Sequence, residues 1–355
     1  VTIHGTNHVL VEDNVGFDTF GHCYFLEDGA ERFNVFDHNL GLVTRRPEGA
    51  DALLGSDAGY PGPGTFWISN PDNTFTNNVA AGSRGVGFWI ALPEHPTGQS
   101  ATPAIWPRRT PLRRFDGNTS HSNGADGLHV DRGPLPNGET ETSYYDPRSL
   151  PGDPDSAPVT AHFTGFTASK NRNGGAWLRG ENHVVSGAGF ADNATGLSVA
   201  SDARARRDSR VGGETANLGD PESWEETGPN GRSLPQPWAA NTTISGFDFY
   251  DGQVGVRDSH FVAFSNNHLR GSAALSVLDY TDFSLDTDNY ASGLTFHPTT
   301  KHVYLETRPV PSDPDSGEDG YRSALFQDLD GSVTGVAGAA VTVNNPFLYD
   351  GSCAY

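Results

Sequence analysis

Thr65-Phe66-Trp67-Ile68-Ser69, then Asn78, then Gly87-Phe88-Trp89-Ile90-Ala91: a short apolar strand returns 22 residues on in nearly the same letters. The unit recurs along the chain. Asn14, Asn39, Asn78, Asn118, Asn171, Asn193 and Asn267 each close a β-rich run. Strands open again at Tyr24-Phe25-Leu26-Glu27-Asp28, Gly127-Leu128-His129-Val130-Asp131 and Gly196-Leu197-Ser198-Val199. A period of about 20–25 residues, lengthened by insertions, marks a solenoid with one coil per repeat. A closed sheet or a βαβ fold would not give it. The expected fold class is all-β, and equivalent positions on successive coils should stack into columns. At each turn the Asn can take the left-handed conformation and bond its equivalents above and below in a ladder.

Aligning the coils on their Asn residues gives a register. Phe25, Phe66, Phe88 and Leu128 fall in one inward column, and Thr2, Leu26, Trp67, Trp89 and His129 in the next, outward one. Ile3, Glu27, Ile68, Ile90 and Val130 then face inward, and His4, Asp28, Ser69, Ala91 and Asp131 outward. Trp67 and Trp89 become neighbours on the exterior, either as a platform for a sugar ring or as a seat for an inserted loop. His4 and Asp28 are close enough for a carboxylate to orient an imidazole. Glu27 is the anomaly, a carboxylate between Ile3 and Ile68 that needs a proton or a partner. It is a general acid with raised pKa, or a bulge turns it outward, or it pairs with an arginine such as Arg179. Glu27 and Asp28, as sequence neighbours, should face opposite ways, so no two-carboxylate glycosidase is visible.

Composition fits the solenoid. The 355 residues include 43 Gly and 24 Pro, with 35% hydrophobic, a balance for short strands and turns. No run approaches the ~18 apolar residues of a membrane span. The net charge of −21 opposes nucleic acid, because the whole-molecule field repels phosphate. It also opposes polyanionic glycans unless basic clusters compensate. Two exist, Arg108, Arg109, Arg113 and Arg114, and then Arg204, Arg206, Arg207 and Arg210. Val1-Thr2-Ile3-His4 reads as a strand already under way, so further coils are expected upstream of this piece. One domain over 1–355 is expected, with the last coils and a cap from about 280.

Four stretches interrupt the rhythm, at roughly 44–64, 93–111, 132–158 and 202–240, and such insertions tend to gather on one side as a binding wall. Asp313 to Asp319 and Asp328-Leu329-Asp330-Gly331 offer oxygen ligands, but neither completes a calcium loop, since Ala stands at position 339. No cofactor and no metal are therefore expected, with calcium the one ion these loops could hold. Motifs for zinc proteases, nucleotide binding and serine hydrolases are missing from the sequence. Cys23 and Cys353 would lie far apart in a straight solenoid, so pairing needs the tail to fold back.

Several segments together resemble one family: Val1-Thr2-Ile3-His4-Gly5-Thr6, Gly21 to Glu31, Phe66 to Pro71 with Asn77 to Ser83, His121 to His129, and Asp330 to Gly335 with Asn344 to Phe347. They are similar to the right-handed, pectate-lyase-like parallel β-helix of the cell migration-inducing hyaluronidase and cell-surface hyaluronidase family, shared with fibrocystin-like proteins. The resemblance implies an extracellular, secreted or cell-surface protein, of microbial type given its few lysines, and depolymerisation of hyaluronan or a related glycan. The expected site lies on the first coils. His4, Asp28, Glu27 and His22 are the candidates for proton transfer in a hydrolase or lyase, and Trp67, Trp89, His129 and Asp131 for holding polysaccharide. The alternatives are a filament-forming surface protein that self-associates through its open first coil, and a glycan-binding module without turnover.

Overall fold

The computed structural model describes residues 1–52, 54–200, 204–205, 210–212, 243–250, 252–266, 271–277, 286, 288–305 and 324–342. Asn267, the acidic run 313–319, Cys353, the side chains of Arg204, Arg206, Arg207 and Arg210, and most of the insertion at 202–240 lie outside these residues. Among the described residues, three long sheets of nine, eleven and nine strands, parallel except for the last pair of the second, stack coil upon coil, so the chain is a parallel β-helix.

The first sheet carries the chemistry. Its strands are β1 (Thr2–Ile3), β2 (Tyr24–Leu26), β3 (Gly64–Ile68), β4 (Val86–Ile90), β5 (Leu128–Val130), β6 (Gly174–Arg179), β7 (Thr195–Ala200), β8 (Ile244–Phe249) and β9 (Ser272–Val277). They pair in that order, each with the next. Among the described residues, the second sheet ends in an antiparallel pair, Ala324–Asp328 against Ala339–Thr342.

The interior is built from columns. Tyr24, Phe66 and Phe88 stack face to face at 4.5 and 4.6 Å, and Phe36 and Phe75 on the second sheet at 4.8 Å. At ~25 cal/mol per Å² of apolar area, each buried ring of this kind contributes a few kcal/mol. Leu10, Val15, Phe17 and Phe20 on the first coil stay exposed.

The Asn ladder forms with one change of role. Asn14 gives its backbone and side-chain N–H groups to the Asn39 Oδ1, Asn39 to Asn78, and Asn78 to Asn118, all at 2.9–3.2 Å. Asn123, Asn171 and Asn193 form a second ladder at another corner. The left-handed residue is the one before each ladder Asn: Asp13, His38, Asn77 and Gly117 have φ from 52° to 67°. That division frees the Asn side chain to point inward and satisfy the backbone at the bend. Asn78→Ala should therefore cost about 3 kcal/mol, because it strands buried donors on Asn39 and the buried Phe36 carbonyl, which accepts from Asn78 Nδ2. Asn14→Ala, at the exposed end of the ladder, should cost under about 1 kcal/mol. Urea unfolding midpoints of the two variants check the difference.

Candidate functional site

The register of β2 differs from expectation by one residue. Tyr24 sits beside Phe66, Phe25 beside Trp67 and Leu26 beside Ile68. A slip of one residue exchanges the faces. Tyr24 and Leu26 go inward, whereas Phe25 joins the outward column with Trp67, Trp89, His129, Trp177, Ser198 and Asp248. Glu27 then points outward, with no need of a buried partner. Its Oε2 meets His4 Nδ1 at 2.7 Å, and Asp28 Oδ2 lies 3.8 Å from the same nitrogen. Both carboxylates thus reach one imidazole, contrary to the opposite-face expectation, because Asp28 sits past the end of β2. The Glu27 hydrogen bond and charge raise the His4 pKa. Asp28 is buried under the 93–111 insertion, where Ser100 N–H donates to it at 3.1 Å. Gly98 has φ of 57°, and a Cβ there would lie 2.2 Å from the Asp28 carboxylate.

Trp67 and Trp89 are neighbours at 4.7 Å, but they are 1% and 0% exposed and offer no sugar platform. The 44–64 insertion seats on them: a Cβ on Gly62 would meet Trp89 at 2.9 Å. His22 is part of that seat. It packs on Trp67 at 4.4 Å, accepts the Gly64 N–H at Nδ1 (3.0 Å), and so donates from Nε2 to Ser56 Oγ (3.0 Å). Burial holds its pKa down at about 4, against the pull of Asp57, so His22 is a neutral wedge and not a proton carrier. His183 is a second such wedge, buried against Tyr145 O with a pKa of about 4.

These two histidines set an acid response. Both fold as neutral rings, while the unfolded chain takes their protons below about pH 6.5. Their stabilisation is complete above that pH and is lost as pH falls toward 4, on the order of 3 kcal/mol each. Asp248, raised to about 6 by burial, works in the opposite direction over the lower part of this window and offsets part of the loss. Urea midpoints should drop between pH 7 and 4.5, and the His22→Gln, His183→Gln double variant should flatten the curve. A flat curve in the unmodified protein contradicts the assignment.

One step further along the outward column the wall opens into a cleft of about 290 Å³, lined by Tyr60, Asp126, His129, Asp131, Trp177, Arg179, Thr195, Ser198 and their neighbours. Insertions frame it: Tyr60 comes from 44–64, and Thr142 from 132–158. Asp126 is buried and organises one end. Its Oδ1 accepts from Asn173 (2.7 Å) and the Gly174 N–H (2.8 Å), and its Oδ2 holds His129 Nδ1 at 2.8 Å. His129 Nε2 is buried and has no protein partner. A proton fixed on Nδ1 leaves Nε2 with a lone pair beside the cleft, the arrangement of a base held by a carboxylate.

Asp131 has a different role from the one expected. Its Oδ1 accepts from the Arg132 and Ser143 N–H groups (2.7 and 3.0 Å), and its Oδ2 from Arg179 Nε (2.8 Å) and Trp177 Nε1 (3.1 Å). Burial pushes its carboxyl up, but the His129 and Arg179 charges and the Ser143 amide outweigh that and hold it below the ordinary value. With four donors its oxygens are filled. Asp131 is a post that sets Trp177 and Arg179. Trp177, half-buried, is an aromatic ring the cleft does present, together with Tyr60.

Sequence reasoning missed Asp126, Trp177 and Asp248, and it named Arg179 only as a possible partner of Glu27, whereas Arg179 pairs with Asp131. A signal existed for Trp177 and Asp248: carrying the column past His129 along the second Asn ladder leads to them. Elsewhere, Asp328 is buried and accepts from the Gly331, Val333 and Thr334 N–H groups (2.7–3.1 Å), which makes it a turn cap.

Comparison with known proteins agrees with this architecture. Residues 1–128 match the family model described as CEMIP beta-helix. Over 99% of its length the chain is 33% identical to the human cell surface hyaluronidase CEMIP2, and it covers 29% of that protein. It is 31% identical to the mouse cell migration-inducing and hyaluronan-binding protein, over 98% of the chain and 29% of that protein. Mouse fibrocystin-L is 34% identical over 51% of the chain and 4% of its own length. The chain thus spans under a third of the length of these relatives. Among the described residues, no helix is long and apolar enough to cross a membrane.

Proposed function

We propose that this protein acts outside the cell on hyaluronan or a related glycan, cleaving it in the cleft of the first sheet. The observation that carries this reading is the Asp126–His129 pair: His129 lines the cleft, and its buried Nε2 has no protein partner. In the reaction His129 accepts or returns the proton, Asp126 fixes its tautomer and stabilises its charged form, and Trp177 stacks on a sugar ring. Arg132, which lines the cleft, supplies a cation to a polyanionic chain that the net charge of −21 would otherwise repel, the charge of Arg179 being matched by Asp131. The hyaluronidase names of its relatives support the choice of substrate. Incubation with defined polysaccharides followed by mass analysis tests it. Shortened hyaluronan is expected; an added water marks hydrolysis and an unsaturated end marks elimination. Intact chains across a panel of acidic and neutral glycans would sink the proposal.

A second reading places the chemistry at His4, Glu27 and Asp28, whose ligand atoms lie within 4.8 Å of one another. Two carboxyls about 5 Å apart match a retaining glycosidase. Asp28→Asn or Glu27→Gln would abolish turnover under this reading and leave it intact under the first.

A further inference from the structure

Asp248, on β8, follows Ser198 in the outward column and is 3% exposed. The groups that meet its carboxyl are hydroxyls. Thr195 Oγ1 and Ser198 Oγ on β7 reach Oδ2 at 3.0 and 3.5 Å, and Ser245 on its own strand bonds Oδ1, its Oγ also lying 3.4 Å from Thr195 Oγ1. On the other side, Ser276 of β9 turns its hydroxyl to the Tyr304 carbonyl at 3.1 Å. No charged side chain faces Asp248 from β7 or β9 among the described residues. The charged groups of the cleft, Asp126, His129, Asp131, Arg132 and Arg179, belong to β6 or to the β5 coil, at least two strand spacings (~9.6 Å) away. Thr195 and Ser198 line the cleft, but Asp248 does not.

We infer that Asp248 is a positioning residue that sets which way the Thr195 and Ser198 hydroxyls present themselves to a bound glycan. An ionised carboxyl can only accept, so all three hydroxyls must donate to it, and Thr195 and Ser198 turn their lone pairs toward the cleft. That floor accepts hydrogen bonds from sugar hydroxyls. A protonated carboxyl donates once, which releases one hydroxyl to donate outward and inverts part of the pattern. Burial without a cation raises the Asp248 pKa to about 6, which brings this exchange near neutral pH. A surface carboxylate would have completed it well below that.

The inference rests on the proposed cleft as a glycan site, so its test has two arms. A neutral chito-oligosaccharide, which does not titrate, is measured by calorimetry at about pH 5 and about pH 8. The unmodified protein should bind it five- to tenfold more tightly at the higher pH, roughly the worth of one hydrogen bond. Asp248→Asn should bring that ratio under about twofold, and Thr195→Val, which keeps the carboxyl, should reduce it in part. An unchanged ratio in Asp248→Asn overturns the inference. The second arm needs no ligand. Infrared difference spectra over the same pH range should show a buried carboxyl C=O band that vanishes in Asp248→Asn and shifts in Thr195→Val. No glycan binding with this band present defeats the proposed function alone, and no such band defeats the role of Asp248.

Discussion

His129→Asn is expected to lower glycan turnover about a hundred- to ten-thousand-fold while leaving the fold intact, the usual worth of a positioned acid–base group. The asparagine amide can still donate to Asp126, which also keeps its bonds from Asn173 and the Gly174 N–H. Only the atom beside the cleft is removed. Hyaluronan affinity should change little, so the loss should appear in kcat and not in KM. Steady-state kinetics with a fluorescent hyaluronan, alongside circular dichroism and urea unfolding, make the measurement. Full turnover in a well-folded variant would move the chemistry away from this cleft, most simply to His4, Glu27 and Asp28.

Arg179→Met should produce the largest loss of stability, about 3–5 kcal/mol, because it leaves Asp131 buried and charged without its cation. The Asp131 carboxylate keeps its two backbone donors and Trp177 Nε1, but these do not replace a guanidinium at 2.8 Å. The double variant Asp131→Asn, Arg179→Met should recover most of the loss, since it removes charge and countercharge together. Arg114→Ala is the control. Its pair with Asp116 is exposed and should contribute under about 1 kcal/mol. Urea midpoints for these variants and the parent give the comparison. A double variant as unstable as the single would mean that Arg179 acts through packing on Trp177 and Tyr144, which it overlies at 5.2 and 5.6 Å.

The sequence carried the fold because its signals are local and repeated. A strand returning after 22 residues, with Asn at each bend, leaves little besides a solenoid, and the columns from Phe66 onward stand in the expected register. The Asn-based register placed Phe25 beside Phe66, but Tyr24 is the residue that stacks on Phe66. Phenol and phenyl serve equally in an aromatic stack, so the letters do not separate the two registers. A buried Glu27 was the warning.

The site was less legible, for a reason of range. That insertions gather along the first sheet was readable from their positions. Which columns they bury and which they leave open depends on how 44–64 and 132–158 fold back, and no periodicity governs that. Trp67 and Trp89 therefore read equally as a platform or as the seat of a loop, and loops cover them; His129 and Asp131 were identified without the partners that define them. Asp126 stands only three residues before His129, yet their contact depends on the bend into β5, which the strand pattern leaves unspecified.

The most direct test of the central claim, that the cleft on the first sheet holds the glycan, is a crystal structure of His129→Asn soaked with a hyaluronan hexasaccharide. A sugar ring stacked on Trp177, with its scissile linkage beside residue 129 and its hydroxyls on Thr195 and Ser198, is the predicted result. An ordered hexasaccharide seated at His4 and Glu27, with the cleft holding only water, would contradict the account.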